Sequence, residues 1–313
     1  MFFNNKAFEI TVSGFKKVHN RICVYRAVGG LGDIIAMRMI FEDFKKKYPK
    51  FHLTWAVPYK YFPVADKHPF VDELIHLEDF KKHNYIEVYD ITTACGKYET
   101  MNAKGNLKNR SDIWAEHFGL KLDSHNLHMP SYLDRKEKVI KRLTELGWDK
   151  KKKLVAFAPR SAIGIKNMTF EQIKTVKDMT NKFFIFCLHH VPILEVEQVG
   201  IPAVYNFSLQ ECLCAIEISD FMISTDTGLM HAAAGYGKPT LATFSFVDGE
   251  TYCKYYPKVQ IIQLHYKNID NWCGPCYDYS KCPYTSQITT KPCQSEISAK
   301  MLQENWDKLL NRL

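Results

Sequence analysis

The sequence predicts an α/β protein made of two open, parallel-stranded sheets covered by helices. Three observations carry that prediction. Short apolar, β-branched runs alternate with helical patterns in two successive rounds. Two of those runs lead straight into turns rich in glycine and aspartate, at 29–33 and 224–228. The 313 residues, 46% hydrophobic and 13% aromatic, suffice for two cores of ordinary size.

The first round opens with ICVYRAV at 22–28 and the turn Gly29-Gly30-Leu31-Gly32-Asp33. Ile34, Met37, Phe41, Phe44 and Tyr48 then recur at helical spacing until Pro49 stops the helix. HLTWAVP (52–58), VDELIHL (71–77) and YIEVYDI (85–91) read as further strands. A polar stretch around 96–110 reads as a loop, and SDIWAEHFGL (111–120) as a helix. A charged helix from Asp134 to Gly147 and a lysine run lead into the second round. Its strands are LVAFAPR (154–160), FFIFCLH (183–189), PAVYNF (202–207), FMIST (221–225) and TLATFS (240–245), with helices expected from Thr169 and over 208–219. Met301, Leu302, Trp306, Leu309 and Leu310 form a helical stripe in the last segment, 298–313.

A formal charge of +8 suits an anionic ligand, nucleic acid or an anionic membrane surface. The runs Lys45-Lys46-Lys47 and Lys150 to Lys153 lack the interleaved aromatics of a nucleic-acid module and read as solvated helix ends or linker. No apolar run is long enough to span a bilayer, and the start, MFFNNKAFEITVSGFKK, lacks the apolar stretch of a secretory leader, so a cytoplasmic location is expected. Six of the ten cysteines lie singly in ordinary segments, as buried thiols do.

Ligands of open α/β sheets bind beyond the carboxyl ends of the strands, where helix N-termini offer unpaired N–H groups. In STDTGLMHAAAGYGKP (224–239), Asp226 falls at a strand end and Thr227 at a helix start. Gly228 would let a ligand approach the backbone, and His231 lies one turn further on. The pattern suits a phosphate, although Asp226 or Thr227 could equally be a helix cap and His231 a core histidine. The 29–33 turn is not the dinucleotide fingerprint, because Ile35 stands where that fingerprint needs glycine or alanine. Gly30 and Gly32 strip this loop of side chains, and Asp33 at a helix N-terminus stays ionised and able to accept a proton; an ordinary capping role fits the same pattern.

Together, GGLGDII (29–35) with YPKFHLTWAVP (48–58), APRSAIGIKNMTFEQI (158–173) and the long block 207–245 resemble glycosyltransferase family 9, the ADP-heptose:lipopolysaccharide heptosyltransferases and their relatives. The resemblance implies a GT-B fold. An acceptor-side Rossmann-like domain would span 1–148, a nucleotide-sugar-binding one 149–297, and a helix at 298–313 would cross back to the first. It further implies an inverting, metal-independent transfer with Asp33 as base, and no catalytic cofactor beyond the nucleotide-diphosphate sugar as co-substrate. Lys166 matches the lysine on the donor phosphate. Asp226, Thr227, Gly228 and Leu229 match the diphosphate loop, with His231 in the same motif. Ser208 and Leu209 match the border of the nucleoside, and Arg160 is carried as a further donor-side residue. Asn167, Met168 and Thr169 after the lysine, and Met39 after the base, depart from the family pattern and leave the sugar open.

Cys273, Cys276, Cys282 and Cys293 have the spacing of a structural zinc site of four thiolates; unligated or disulfide-bonded thiols are the alternative. Three functions are therefore carried forward. The first is sugar transfer to an anionic acceptor in lipopolysaccharide or another surface glycan, with peripheral membrane contact. The second is transfer to a hydroxylated base in DNA. The third is a non-catalytic nucleotide or sugar binder.

Overall fold

The computed structural model describes residues 20–102, 107–264, 276–277 and 292–312. The first half comprises β1 (Arg21–Tyr25), α1 (Leu31–Met37), α2 (Phe41–Lys47), β2 (His52–Val57), α3 (Phe62–Ala65), β3 (Glu73–His76), β4 (Glu87–Asp90), α4 (Ala94–Asn102) and α5 (Arg110–His117). After a connecting segment come α6 (Lys136–Glu145), β5 (Leu154–Ala158), α7 (Phe170–Met179), β6 (Phe184–Leu188), α8 (Leu194–Gln198), β7 (Ala203–Val204) and α9 (Leu209–Ile218). The rest are β8 (Phe221–Thr225), α10 (Gly228–Gly235), β9 (Thr240–Phe244), α11 (Gly249–Tyr252), β10 (Val259–Gln263), α12 (Pro292–Ser295) and α13 (Ala299–Leu310).

Two parallel sheets result, in the orders β3-β2-β1-β4 and β10-β9-β8-β5-β6-β7. Helices cover both, so the central strands are apolar throughout: β5 (LVAFA) and β8 (FMIST) are buried at every position. The chain is thus two Rossmann-like halves. β1 lies inside the first sheet and β5 and β8 inside the second, and the loops that leave them carry the turns singled out above. The start of α7 is fixed by Thr169 and Gln172, and that of α9 by Ser208 and Glu211, each pair bonding the other's backbone N–H.

Four expectations change. The stretch 96–110 is not all loop: Ala94–Asn102 is helical and buries Cys95 and Glu99. β10 adds a sixth strand to the second sheet, and only Ile262 of its five residues is fully buried, which hid it in the sequence. The helix at 136–145 packs on α9 through buried Val139 and Leu143, so it is built onto the second half although it precedes β5. Most consequentially, α13 packs on α7, β9 and β10 of its own half rather than crossing to the first. Trp306 takes up that position because Phe183 and Phe221 offer their rings at 5.6 and 5.4 Å, and Leu302 and Leu309 share the same apolar cluster.

The halves meet along α1 and α10. Two glycines make this contact possible. A Cβ on Gly228 would lie 2.5 Å from Leu31 Cβ, and one on Gly32 would lie 2.6 Å from the His231 ring. The connecting segment is held by Arg38, fully buried, which donates to the carbonyls of Leu127 (2.7 Å), Val64 (2.9 Å) and Asp66 (3.1 Å). No helix among the described residues is long and apolar enough to cross a membrane.

Candidate functional site

A cavity of about 830 Å³ lies between the halves. Asp33, Gly30 and Gly32 line it from the first half; Lys166, Asp226, Thr227, Gly228 and His231 line it from the second. These residues come together because the loops after β1, β5 and β8 all leave the carboxyl ends of their strands toward one cleft.

On the second-half wall, Asp226 sits at the end of β8, 3% exposed, with its Oδ2 2.6 Å from Lys166 Nζ. His231 Nε2 stands 3.8 Å from the other oxygen, and its Nδ1 is 3.2 Å from the Tyr256 hydroxyl. Burial alone would raise the Asp226 carboxyl; the Lys166 charge, and then His231, outweigh it and hold the group well below the usual carboxylate range. The Asp226 carboxylate is therefore held as a buried ion pair with the lysine. The Thr227 side chain makes no cap bond to α10, so the first-turn N–H groups beside the cavity have no side-chain acceptor.

On the opposite wall, Asp33 is the third residue of α1, and its Oδ2 accepts from the Gly30 amide at 3.0 Å. The capping reading is thus correct, and incomplete. Arg26 Nη2 lies 3.3 Å from Oδ2, and Arg110 Nη1 donates a short hydrogen bond to Oδ1. Burial raises this carboxyl, but Arg110, Arg26 and the Gly30 amide together bring it below its ordinary value. Sequence reasoning missed Arg26, Arg110, Glu99 and Tyr252, of which all but Arg26 line the cavity. The glycines also serve a purpose the sequence does not show: Gly30 faces open space, whereas the missing side chains of Gly32 and Gly228 make room for His231 and Leu31, while all three line the cavity.

A second cavity, about 580 Å³, adjoins the first through Ser161, Ala162, His190 and Thr227. Arg160, Leu209 and Leu229 line it, with Phe207 as an aromatic wall. Arg160 is already paired with Glu195 at 2.5 Å. Ser208 lines neither cavity, because its hydroxyl caps α9 and lies 2.8 Å from Glu211 Oε2. Of the cysteine cluster, Cys276 is half-buried and Cys293 buried, while Cys273 and Cys282 lie outside the described residues. Tyr277, next to Cys276, reaches the larger cavity. Among the described residues, no group of three or more His, Cys, Asp and Glu side chains is placed to hold a metal.

Residues 205–281, which contain the Asp226 turn, match the family model described as glycosyltransferase family 9 (heptosyltransferase). This chain is similar to that family. An Escherichia coli protein provisionally named lipopolysaccharide heptosyltransferase 4 is 33% identical over 132 residues, 39% of this chain and 33% of the relative. The match thus spans a third of that relative's length. Solved structures extend the likeness over nearly the whole fold. A glycosyl transferase family 9 protein from Veillonella parvula has a TM-score of 0.71 at 16% identity, over 98% of this chain and 100% of its own. The E. coli ADP-heptose lipopolysaccharide heptosyltransferase II gives 0.66 at 13%, over 93% and 99%. A dodecameric, iron-containing glycosyltransferase of E. coli, TibC, gives 0.68 at 14%, over 93% and 78%. These neighbours establish the fold: two Rossmann-like halves facing across a cleft.

Proposed function

We propose that the protein is an inverting, metal-independent glycosyltransferase that moves a sugar from a nucleotide-diphosphate sugar to an acceptor hydroxyl. One observation carries the reading. Asp33 and Lys166, from opposite halves, line the same cavity, with a carboxylate on one wall and a cation beside a helix N-terminus on the other.

In this mechanism the diphosphate lies against Lys166 and the first turn of α10, and the nucleoside occupies the adjoining cavity between Phe207, Leu209 and Leu229. The acceptor hydroxyl gives its proton to the Asp33 carboxylate as its oxygen bonds to the anomeric carbon. The bond from that carbon to the diphosphate oxygen breaks in the same displacement, which inverts the centre. The charge growing on the departing diphosphate is stabilised by Lys166 and the oriented N–H groups. Relatives named for ADP-heptose and lipopolysaccharide make those the first donor and acceptor class to assay.

Calorimetric titration with ADP, UDP and GDP, followed by transfer assays from the matching sugar nucleotide, tests the reading. One nucleotide diphosphate is expected to bind, and its sugar to appear on heptose-deficient lipopolysaccharide. Transfer instead to duplex DNA carrying hydroxymethylated bases would move the acceptor class. Failure of every nucleotide diphosphate to bind would remove the donor assignment.

The spacing of Cys273, Cys276, Cys282 and Cys293 suits a closed thiolate site in which the metal has a structural role only. The two that are placed are shielded to different degrees, Cys293 more than Cys276. Thiolates accept zinc and iron alike, and TibC is described as iron-containing. Elemental analysis of reduced protein should find about one zinc or iron per chain, and a chelator should lower the melting temperature. Far less metal and an unchanged melting temperature would remove the site.

A further inference from the structure

Behind Asp33 lies an arrangement that proton abstraction by a lone carboxylate does not require. Arg110, the first residue of α5, spends the forked edge of its guanidinium on Glu99 of α4: Nε to Oε1 at 2.7 Å and Nη2 to Oε2 at 2.8 Å. Only the remaining corner, Nη1, reaches Asp33. Glu99 is itself buried, at 4% exposure, and Tyr252 of the second half donates its hydroxyl to Oε1 at 3.0 Å. The Tyr252 ring lies 4.8 Å from the guanidinium carbon. A buried carboxylate is costly. An arginine meant only to neutralise Asp33 would use its fork on Asp33.

We propose that Glu99 and Arg110 are positioning residues for the Asp33 carboxylate: Glu99 locks the guanidinium in place and shares its charge, so that Arg110 orients the base through one N–H without quenching it. The inference rests on Asp33 being the base. Arg26 stays against Oδ2 at 3.3 Å throughout, so Glu99 governs only the Arg110 share of the field on Asp33: an undivided second guanidinium would make the carboxylate a poorer proton acceptor, and loss of that guanidinium would leave Arg26 alone to hold it ionised. Glu99 divides the charge between these extremes. Its hydrogen bonds go to Arg110 and to Tyr252 and none to Asp33, so the oriented contact by which it reaches the base is Arg110.

Opposite signs follow for the two residues. Arg110→Gln should move the Asp33 carboxyl titration, followed by carbon-13 NMR of labelled aspartate with Asp33→Asn as the assignment control, to higher pH by at least about one unit. Glu99→Gln keeps the side chain's shape but not its charge, and should move the titration to lower pH, or keep Asp33 ionised to the lowest pH at which the protein stays folded. Glu99→Asp should restore the parent's behaviour. In the Arg110→Gln background, the shift caused by Glu99→Gln should differ in size from that in the parent, since only the direct repulsion between the two carboxylates is left. With ADP-heptose and heptose-deficient lipopolysaccharide as probes, Glu99→Gln should lower kcat severalfold and leave KM for the donor unchanged. A merely structural pair would lower the melting temperature of both variants without these opposite shifts. Equal shifts for Glu99→Gln with and without Arg110, or shifts of the same sign for both single variants, would overturn the proposal. Full turnover in Asp33→Asn would instead overturn the base assignment, and the titrations, which need no substrate, would still decide whether Glu99 acts through Arg110.

Discussion

Asp33→Asn is expected to reduce turnover by about 10²–10⁴-fold, because the variant loses the oxygen that takes the acceptor proton. Nucleotide affinity should stay close to the parent's, since the features suited to a diphosphate lie on the opposite wall. From the sequence, asparagine looks like an inert replacement that keeps size and capping ability. The structure predicts a second effect. Three N–H donors converge on the Asp33 oxygens, from Gly30, Arg26 and Arg110. An asparagine offers one acceptor atom and turns an NH₂ toward the other donors, so the melting temperature should fall by an amount corresponding to about 1–3 kcal/mol. Turnover must therefore be measured well below the variant's melting temperature, alongside nucleotide binding. A folded variant that binds nucleotide and turns over at the parent's rate would place the base elsewhere.

Lys166→Met should produce the largest loss of stability among the site variants, and one that depends on pH. It strands the Asp226 carboxylate, whose side chain is 4% exposed, with only His231 at 3.8 Å. Breaking a buried pair in this way costs about 3–5 kcal/mol. In the parent the Asp226 group is held below its unfolded value of about 3.9, so its contribution is present above that pH and is lost as pH falls through the folded value. In the variant burial is opposed by His231 alone, the folded value rises above the unfolded one, and the penalty is full at neutral pH and relieved as pH falls through that raised value. The deficit in melting temperature should therefore shrink from pH 8 toward pH 5. Adding Asp226→Asn should remove most of it while leaving nucleotide affinity at least about tenfold below the parent's, because the diphosphate's cation is still missing. A pH-independent deficit that the second substitution does not repair would contradict the pairing.

Much of the scaffold was legible, because parallel strands buried on both faces leave continuous apolar runs and their helices leave periodic ones. The two turns were legible too, since glycine and aspartate between a strand and a helix carry backbone and charge signals in consecutive residues. What escaped was whatever depends on one element meeting another. Glu99 sits in a helix whose sequence, ACGKYETMN, has no apolar stripe to announce it. Arg110 and Tyr252 acquire meaning only from Glu99 and Asp33, which are distant in sequence. Gly228 carries the same signal whether it admits a ligand or a neighbouring leucine, and only the fold shows that a leucine is packed against it. The stripe on the last helix was read correctly as a packing face, but a stripe does not say which half supplies the partner; Phe183 and Phe221 do.

The close approach of α1 and α10 has a mechanical consequence. Leu31 against Gly228, and Gly32 against His231, leave no side-chain cushion between the two helices, and these contacts adjoin the proposed base Asp33 and the Lys166–Asp226 pair. The contact can serve as a fulcrum. Rocking of one half about it would move Asp33 and Lys166 little; Lys60 and Tyr61 face the same cleft at its rim. Tyr61 ties that rim to the loop behind the base, with its hydroxyl 3.0 Å from the Gly29 carbonyl. The spacing of the proposed base and cation is thereby fixed beside the pivot and not at the periphery.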